Sequence, residues 1–333
     1  MTKSEILKDE LSSPIMVSVC VQTYQHANFI EECLNSILMQ ETSFPFEIIL
    51  GEDESTDGTR DLCIRIAAQH PEKIKLYLRS RNDVIKIAGK ETGRFNFREN
   101  LKASKGKYVA LCEGDDFWTD RYKLQKQVDF LEKSPDYSIC FHKVKILKEG
   151  ELHDDYITNV PSASTTIYDL AKGNYIHTPS CMFRNGIVLP DWFDEVLAGD
   201  FALHILNAQR GNIYCLDETM AVYRVHAGGL WSTNKEENNQ LKWIAVLNTL
   251  CKHLNGDVKE ILAEQRLDWA IVLYGKGYEN ETKDLLTSEL PRLIDRILKL
   301  EEERELLMSD PGSLGNEMSG RGLLKALFKK VVK

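Results

Sequence analysis

The chain has 333 residues, 43% of them hydrophobic and 28% charged, with a formal net charge of −9, which is the balance of a folded globular protein and excludes general disorder. The acidic excess also argues against nucleic acid as a partner, since that role rests on Lys and Arg neutralising phosphates. Eight scattered cysteines form no CxxC pair, so zinc and disulfide roles give way to small buried thiols in a reducing compartment.

Met1 to Pro14 is polar and acidic and has no apolar run of the signal-peptide kind. No stretch has the ~20 apolar residues that a membrane helix needs. The expected location is therefore the cytoplasm. Ile15 to Val21 then reads as a buried strand, rich in Val and Ile. Phe29, Ile30, Cys33, Leu34, Ile37 and Leu38 form one apolar helical stripe. A strand over Phe46 to Leu50, a helix over Gly58 to Gln69 and a strand over Ile74 to Leu78 follow. A helix near Asn96 to Ala103 leads into a fourth strand, Tyr108 to Cys112. Alternating units of this kind require a mostly parallel sheet with right-handed crossovers.

Beyond a helix at Leu124 to Leu131 the pattern becomes mixed, with strands near Ser138 to Leu147, Ser180 to Phe183, Asn212 to Leu216 and Ala221 to Val225. A helix at Phe201 to Gln209 lies among them. The domain reading is one catalytic domain over 1–232, its halves 14–131 and 132–232, then a helical extension over 233–308. Residues 309–320, rich in Gly and Ser, read as a flexible linker. Residues 321–333 read as a basic amphipathic helix with five cations and no acid. Such a helix suits peripheral contact with the inner face of the plasma membrane, or docking on a partner or on the catalytic domain.

Ligands in sheets of this class bind beyond the carboxyl ends of the strands. The loops there hold Thr23 and Tyr24, then Gly51 to Thr59, then Arg79 to Asn82, then Glu113-Gly114-Asp115-Asp116. Acidic loops converging on one rim are costly unless a cation or a donor-rich ligand lies between them. Carboxylates crowded at a strand end suit Mn²⁺ or Mg²⁺, although a solvated turn or a helix cap would use the same residues.

Three segments decide between these readings: Val19 to Tyr24, Glu47 to Thr59, and Ala103 to Asp116. In this order and spacing they resemble family 2 glycosyltransferases of the GT-A fold, a Rossmann-like mixed α/β sheet, over roughly the first 130 residues. The resemblance implies an inverting, metal-dependent enzyme that moves a single sugar from a nucleoside diphosphate, expected to be UDP, to an acceptor hydroxyl. A glycan or a lipid-linked sugar is the expected acceptor, in cell-surface polysaccharide assembly. It further implies nucleotide contacts at Thr23, Tyr24, Glu52, Asp53, Arg81, Asn82, Arg98, Asn100 and Asp115, with Glu52 departing from the family's usual Asp. For Arg98 a surface salt bridge is the competing reading. Asp115, Asp116 and His226 are the implied metal ligands, Glu113 standing where the family has its leading Asp, and Asp200 is the implied base. Thr178, Ser180 and Trp231 are assigned to the acceptor pocket.

Two rivals remain. A sugar-nucleotide pyrophosphorylase would need a Gly-rich basic loop after the first strand, and Gln22 to Phe29 has neither Gly nor Lys. A non-catalytic nucleotide- or sugar-binding domain would lack a metal carboxylate or a base.

Overall fold

The computed structural model describes residues 14–229, 235–289, 291, 292 and 294. Trp231, the linker, the basic tail and the end of the helical extension lie outside these residues. Two compact units emerge: the described residues up to 229 with His253–Val258, and 235–252 with those from 259 onward.

The first half of the first unit runs β1 (Val17–Thr23), α1 (Ile30–Leu38), β2 (Phe46–Glu52), α2 (Thr59–Gln69) and β3 (Ile74–Leu78). A small hairpin of β4 (Lys86–Ile87) and β5 (Lys90–Glu91) precedes α3 (Arg94–Ala103) and β6 (Tyr108–Leu111). Then come β7 (Phe117–Trp118), α4 (Lys123–Lys133), β8 (Tyr137–Lys148), β9 (Glu151–Asp154), β10 (Ser164–Thr165) and α5 (Ile167–Leu170). β11 (Met182–Arg184), α6 (Gly199–Ala208) and β12 (Asn212–Val225) complete it.

One sheet carries the strand order β10-β12-β8-β11-β6-β1-β2-β3, with β7 on β12 and β9 on β8. β6, β1, β2 and β3 are mutually parallel, while β11 runs antiparallel to β6 and β8. β1 and β2 are buried along almost their whole length, as strands covered on both faces must be. α1 buries Ile30, Cys33, Leu34 and Ile37 in the cluster that holds Val17, Val19 and Val21. Each large aliphatic side chain removed from water there contributes about 2 kcal/mol. All eight cysteines are free and buried.

Register makes the rim. Thr23 pairs with Glu52 and Glu52 with Leu78, so β1, β2 and β3 end level. The acidic turn continues beside them, the Gly114 N–H donating to the Gln22 carbonyl at 3.0 Å. α3 clamps this edge: Asn96 donates to the Gly51 carbonyl at 2.8 Å and Asn100 to the Val21 carbonyl at 2.9 Å. Residue 51 has to be Gly, because a Cβ would collide with the Asn96 amide.

The two short strands expected over 212–216 and 221–225 are one continuous strand, β12, with register irregularities between Leu216 and Ala221. The polar break at Asp217 and Glu218 is a bulge rather than a turn. It lets the second half of β12 carry Arg224 and His226 back to the rim.

The second unit is helical, built from α7 (Glu236–His253), α8 (Gly256–Gly275) and α9 (Glu279–Ser288). Ile244, Leu267, Ala270, Leu273 and Leu286 form its core. Among the described residues no helix is long and apolar enough to cross a membrane.

Candidate active site

The acidic turn is held rather than free. Asp116 is buried, and its Oδ1 accepts the backbone N–H of Arg224 at 2.8 Å. The Arg224 guanidinium donates to the Asp115 carbonyl at 2.5 Å, pairs with Glu32 and lies over Phe29 and Phe117. Gly114 allows a close approach, since a Cβ there would meet Thr23 Oγ1 at 2.6 Å and His26 Nδ1 at 3.0 Å.

This packing brings Asp115, His226 and His26 together. Asp115 Oδ2 lies 3.0 Å from His226 Nε2 and 3.8 Å from His26 Nε2. One donor atom from each of the three falls within 4.8 Å of the others, close enough to share a metal ion. Burial works against the Asp115 carboxylate, but the His226 bond and the nearby His26 hold its pKa below the ordinary range. Burial lowers the pKa of His26, leaving the ring neutral with a lone pair to offer. Thr23 Oγ1, 3.2 Å from His26 Nδ1, can fix that ring's tautomer. Of the three ligands inferred from sequence, Asp115 and His226 meet here, while Asp116 turns to the Arg224 backbone. His26 was missed. Its signal was a polar side chain just past a buried strand, brought back to Thr23 by Gln25 at φ 57°. Glu113, under burial and the charge of Asp115, has its pKa pushed up to about 8, and it accepts from Gln22 at 3.2 Å.

Along the β2 and β3 loops, Tyr24 is exposed and the Arg81 guanidinium lies 4.3 Å from its ring centroid. Arg81 also binds Asp53 at 2.7 Å and Glu91 of the hairpin at 2.8 Å. Burial raises the pKa of Asp53, and Arg81 opposes that. Thr23 is buried beside His26 and Asn82 is exposed. Glu52 and Asn100 are structural struts. Glu52 accepts from Ser55 N–H at 2.7 Å and pairs with Arg60, and Asn100 Oδ1 accepts from Arg79 at 2.8 Å. Arg98 pairs with Asp194 and Glu99, in line with the salt-bridge reading.

In the half over 132–232, Asp200 lies in the first turn of α6, where it caps nothing; the helix cap is Ala198. Thr178 Oγ1 donates to Asp200 Oδ2 at 3.4 Å. Ser180 is fully buried and its hydroxyl donates to the His177 carbonyl at 2.7 Å, so it offers an acceptor no surface. His177 bonds Asp155 at 3.0 Å and packs on Tyr223. Burial, followed by the charges of Asp116, Asp115, Glu113 and Asp200, drives the Tyr223 pKa up. Asp155 carried no motif by which sequence reading could find it.

The family model for glycosyl transferase family 2 matches residues 18–191, more than half of the chain. An uncharacterized protein of Mycobacterium tuberculosis is 36% identical over 216 residues, covering 65% of this chain and 60% of that protein. TuaG of Bacillus subtilis, described as a teichuronic acid biosynthesis glycosyltransferase, is 26% identical, covering 79% of this chain and 95% of its own. Among solved structures, S. aureus TarS in complex with UDP superposes with a TM-score of 0.50 at 20% identity, covering 76% of this chain and 71% of that one. The mannosyltransferase PcManGT from Pyrobaculum calidifontis, in complex with GDP-Man and Mn²⁺, gives 0.50 at 15%, covering 97% and 82%. The fold is therefore GT-A, and the chain belongs to glycosyl transferase family 2.

Proposed function

We propose that the protein is an inverting, metal-dependent glycosyltransferase that moves one hexosyl or hexosaminyl unit from a UDP-sugar to a hydroxyl of a glycan or lipid-linked acceptor. The single observation that carries this reading is the meeting of Asp115, His26 and His226 at the strand-end rim where Arg81 also joins Tyr24 to Asp53. The complexes of TarS with UDP and UDP-GlcNAc support a nucleotide sugar as donor. TuaG supports polysaccharide assembly as the setting.

His26, Asp115 and His226 would hold the cation. Two imidazole nitrogens beside one carboxylate match Mn²⁺ better than Mg²⁺, which favours oxygen and water. Such an ion would supply positive charge against that developing on the diphosphate leaving group. Tyr24 offers a ring face to the base, and Asp53 with Arg81 offers an acceptor and donors to its edge. Asp200 takes the proton of the acceptor hydroxyl as that oxygen forms its bond to the anomeric carbon. The bond from that carbon to the diphosphate breaks on the opposite face, and the configuration inverts. Thr178 steadies the base. The basic 321–333 segment would keep the enzyme at the inner membrane face, where equal pelleting with anionic liposomes of the full chain and a 1–320 truncation would count against it.

The experiment is release of nucleoside diphosphate from UDP-, GDP- and dTDP-sugars with and without Mn²⁺. Turnover of one donor, dependent on Mn²⁺ and abolished by Asp115→Asn and Asp200→Asn, is expected. Turnover unchanged in either variant would remove that residue from the mechanism. Release of pyrophosphate from a nucleoside triphosphate and a sugar phosphate would favour a pyrophosphorylase.

A further inference from the structure

Arg94 opens α3, in the half over 14–131, yet reaches the segment that precedes Asp200. It is 5% exposed, and its Nη2 donates to the Val196 carbonyl and, at 3.3 Å, to that of Leu197. Its guanidinium lies 4.6 Å from the Phe193 ring centroid. A Cβ on Gly199 would fall directly on that guanidinium. Gly is a poor helix former, and here it opens α6 immediately before Asp200. Its presence is explained by the space Arg94 takes.

The charge has no local explanation. The charges of Asp200, Asp194 and Glu113 favour the cationic form of Arg94. Among the described residues, however, none of them is in ion-pair contact with it, and Asp194 is paired with Arg98. Its Nε has no hydrogen-bond partner. Burial lowers the Arg94 pKa only to about 10, so the side chain stays cationic at neutral pH. A buried cation without a contacting carboxylate is destabilising, and an apolar side chain of like volume would serve the fold better.

We propose that Arg94 is a positioning residue: interlocked with Gly199, it fixes the Asp200-bearing end of α6 to α3. This rests on the reading of Asp200 as the base. Arg94 touches neither donor nor metal in this account; it acts through the place of Asp200. A small displacement of a catalytic group is enough to lose most of the rate.

The test measures kcat and KM for UDP release from UDP-glucose and UDP-GlcNAc, with water as acceptor, together with UDP affinity in Mn²⁺ and the thermal midpoint. Arg94→Met is expected to lower kcat on the order of 100-fold while leaving UDP affinity near wild type. Arg94→Lys should recover part of the rate, because it keeps the charge but not both carbonyl contacts. Gly199→Ala should reproduce the kcat loss with Arg94 chemically intact, and adding it to Arg94→Met should cost nothing more, since the methyl then has room. Wild-type kcat in Arg94→Met, or a fall in UDP affinity that parallels the fall in kcat, would overturn the proposal. Should Arg94→Met fail to fold, wild-type kcat and stability in Gly199→Ala would overturn it equally. Asp200→Asn separates the two readings. Full activity there removes the base itself, whereas an inactive Asp200→Asn beside an active Arg94→Met removes only this proposal.

Discussion

Replacing Asp116 separates the roles of the two adjacent carboxylates in the acidic turn. Asp116 is 1% exposed and its Oδ1 accepts the Arg224 N–H at 2.8 Å. Alanine deletes that acceptor and strands the N–H in a dry site, which costs roughly 1–3 kcal/mol. Asparagine keeps a carbonyl oxygen and loses the charge. Burial, with Asp115 beside it, raises the Asp116 pKa well above the ordinary carboxylate value. A carboxyl raised in the folded state contributes stability below its unfolded pKa and loses that contribution as pH rises through its folded pKa. Asparagine escapes this loss. Asp116→Ala should therefore lower the thermal midpoint by about 4–8 °C for a loss of about 2 kcal/mol. Asp116→Asn should match or exceed wild type at neutral pH, its advantage shrinking as pH falls toward the ordinary carboxylate range. Both variants should retain measurable Mn²⁺ affinity, since Asp115 is the carboxylate that faces the imidazoles. Thermal unfolding between about pH 5 and pH 8, a window across which the carboxyl linkage is felt, decides the matter. Equal stability of the alanine and asparagine variants across that range would refute the reasoning.

Lys123 is fully buried, its ammonium 4.0 Å from the Trp118 ring centroid and donating to Gln127 at 2.7 Å, and burial lowers its pKa to about 8. The unfolded chain holds that proton more tightly, so wild-type stability should rise as pH climbs from about 8 toward 10.5. Lys123→Met should flatten that rise, and an unchanged slope would contradict the burial account. Asp53→Asn should weaken UDP binding about 10-fold, the scale of one charge-assisted hydrogen bond, with little change in thermal midpoint. Glu52→Gln should do the reverse, because Glu52 holds Ser55 and Arg60. If the two variants exchange phenotypes in calorimetry, the division of the β2 loop into reader and strut is wrong.

The parallel half of the sheet was legible because its strands are continuous apolar runs and α1 shows a single stripe; β1, β2, β3 and β6 lie within two residues of where the pattern sets them. The hairpin of β4 and β5 was not, since Lys86, Ile87, Lys90 and Glu91 carry no alternation. Nor was β7, two residues long and ordered by pairing with Ala221 and Val222. Within the site, Asp115 and His226 could be singled out from motifs, but their meeting depends on the bulge in β12 and on Arg224 stitching the turn to α1. Those are contacts between residues far apart in the chain, and local pattern does not record them. His26, Arg94 and Gly199 belong to the same class. Each is an ordinary residue in sequence that acquires meaning from what packs against it.

In the proposed enzyme, His26, Asp115 and His226 form one divalent-cation site that serves a nucleotide diphosphate. Calorimetric titration of Mn²⁺ into wild type, His26→Ala, Asp115→Asn and His226→Ala, each with and without saturating UDP, addresses it most directly. Tight one-to-one binding strengthened by UDP is expected in wild type, with each single substitution weakening Mn²⁺ at least about 10-fold. Mn²⁺ binding to all three variants with wild-type affinity, or UDP binding indifferent to Mn²⁺, would contradict it.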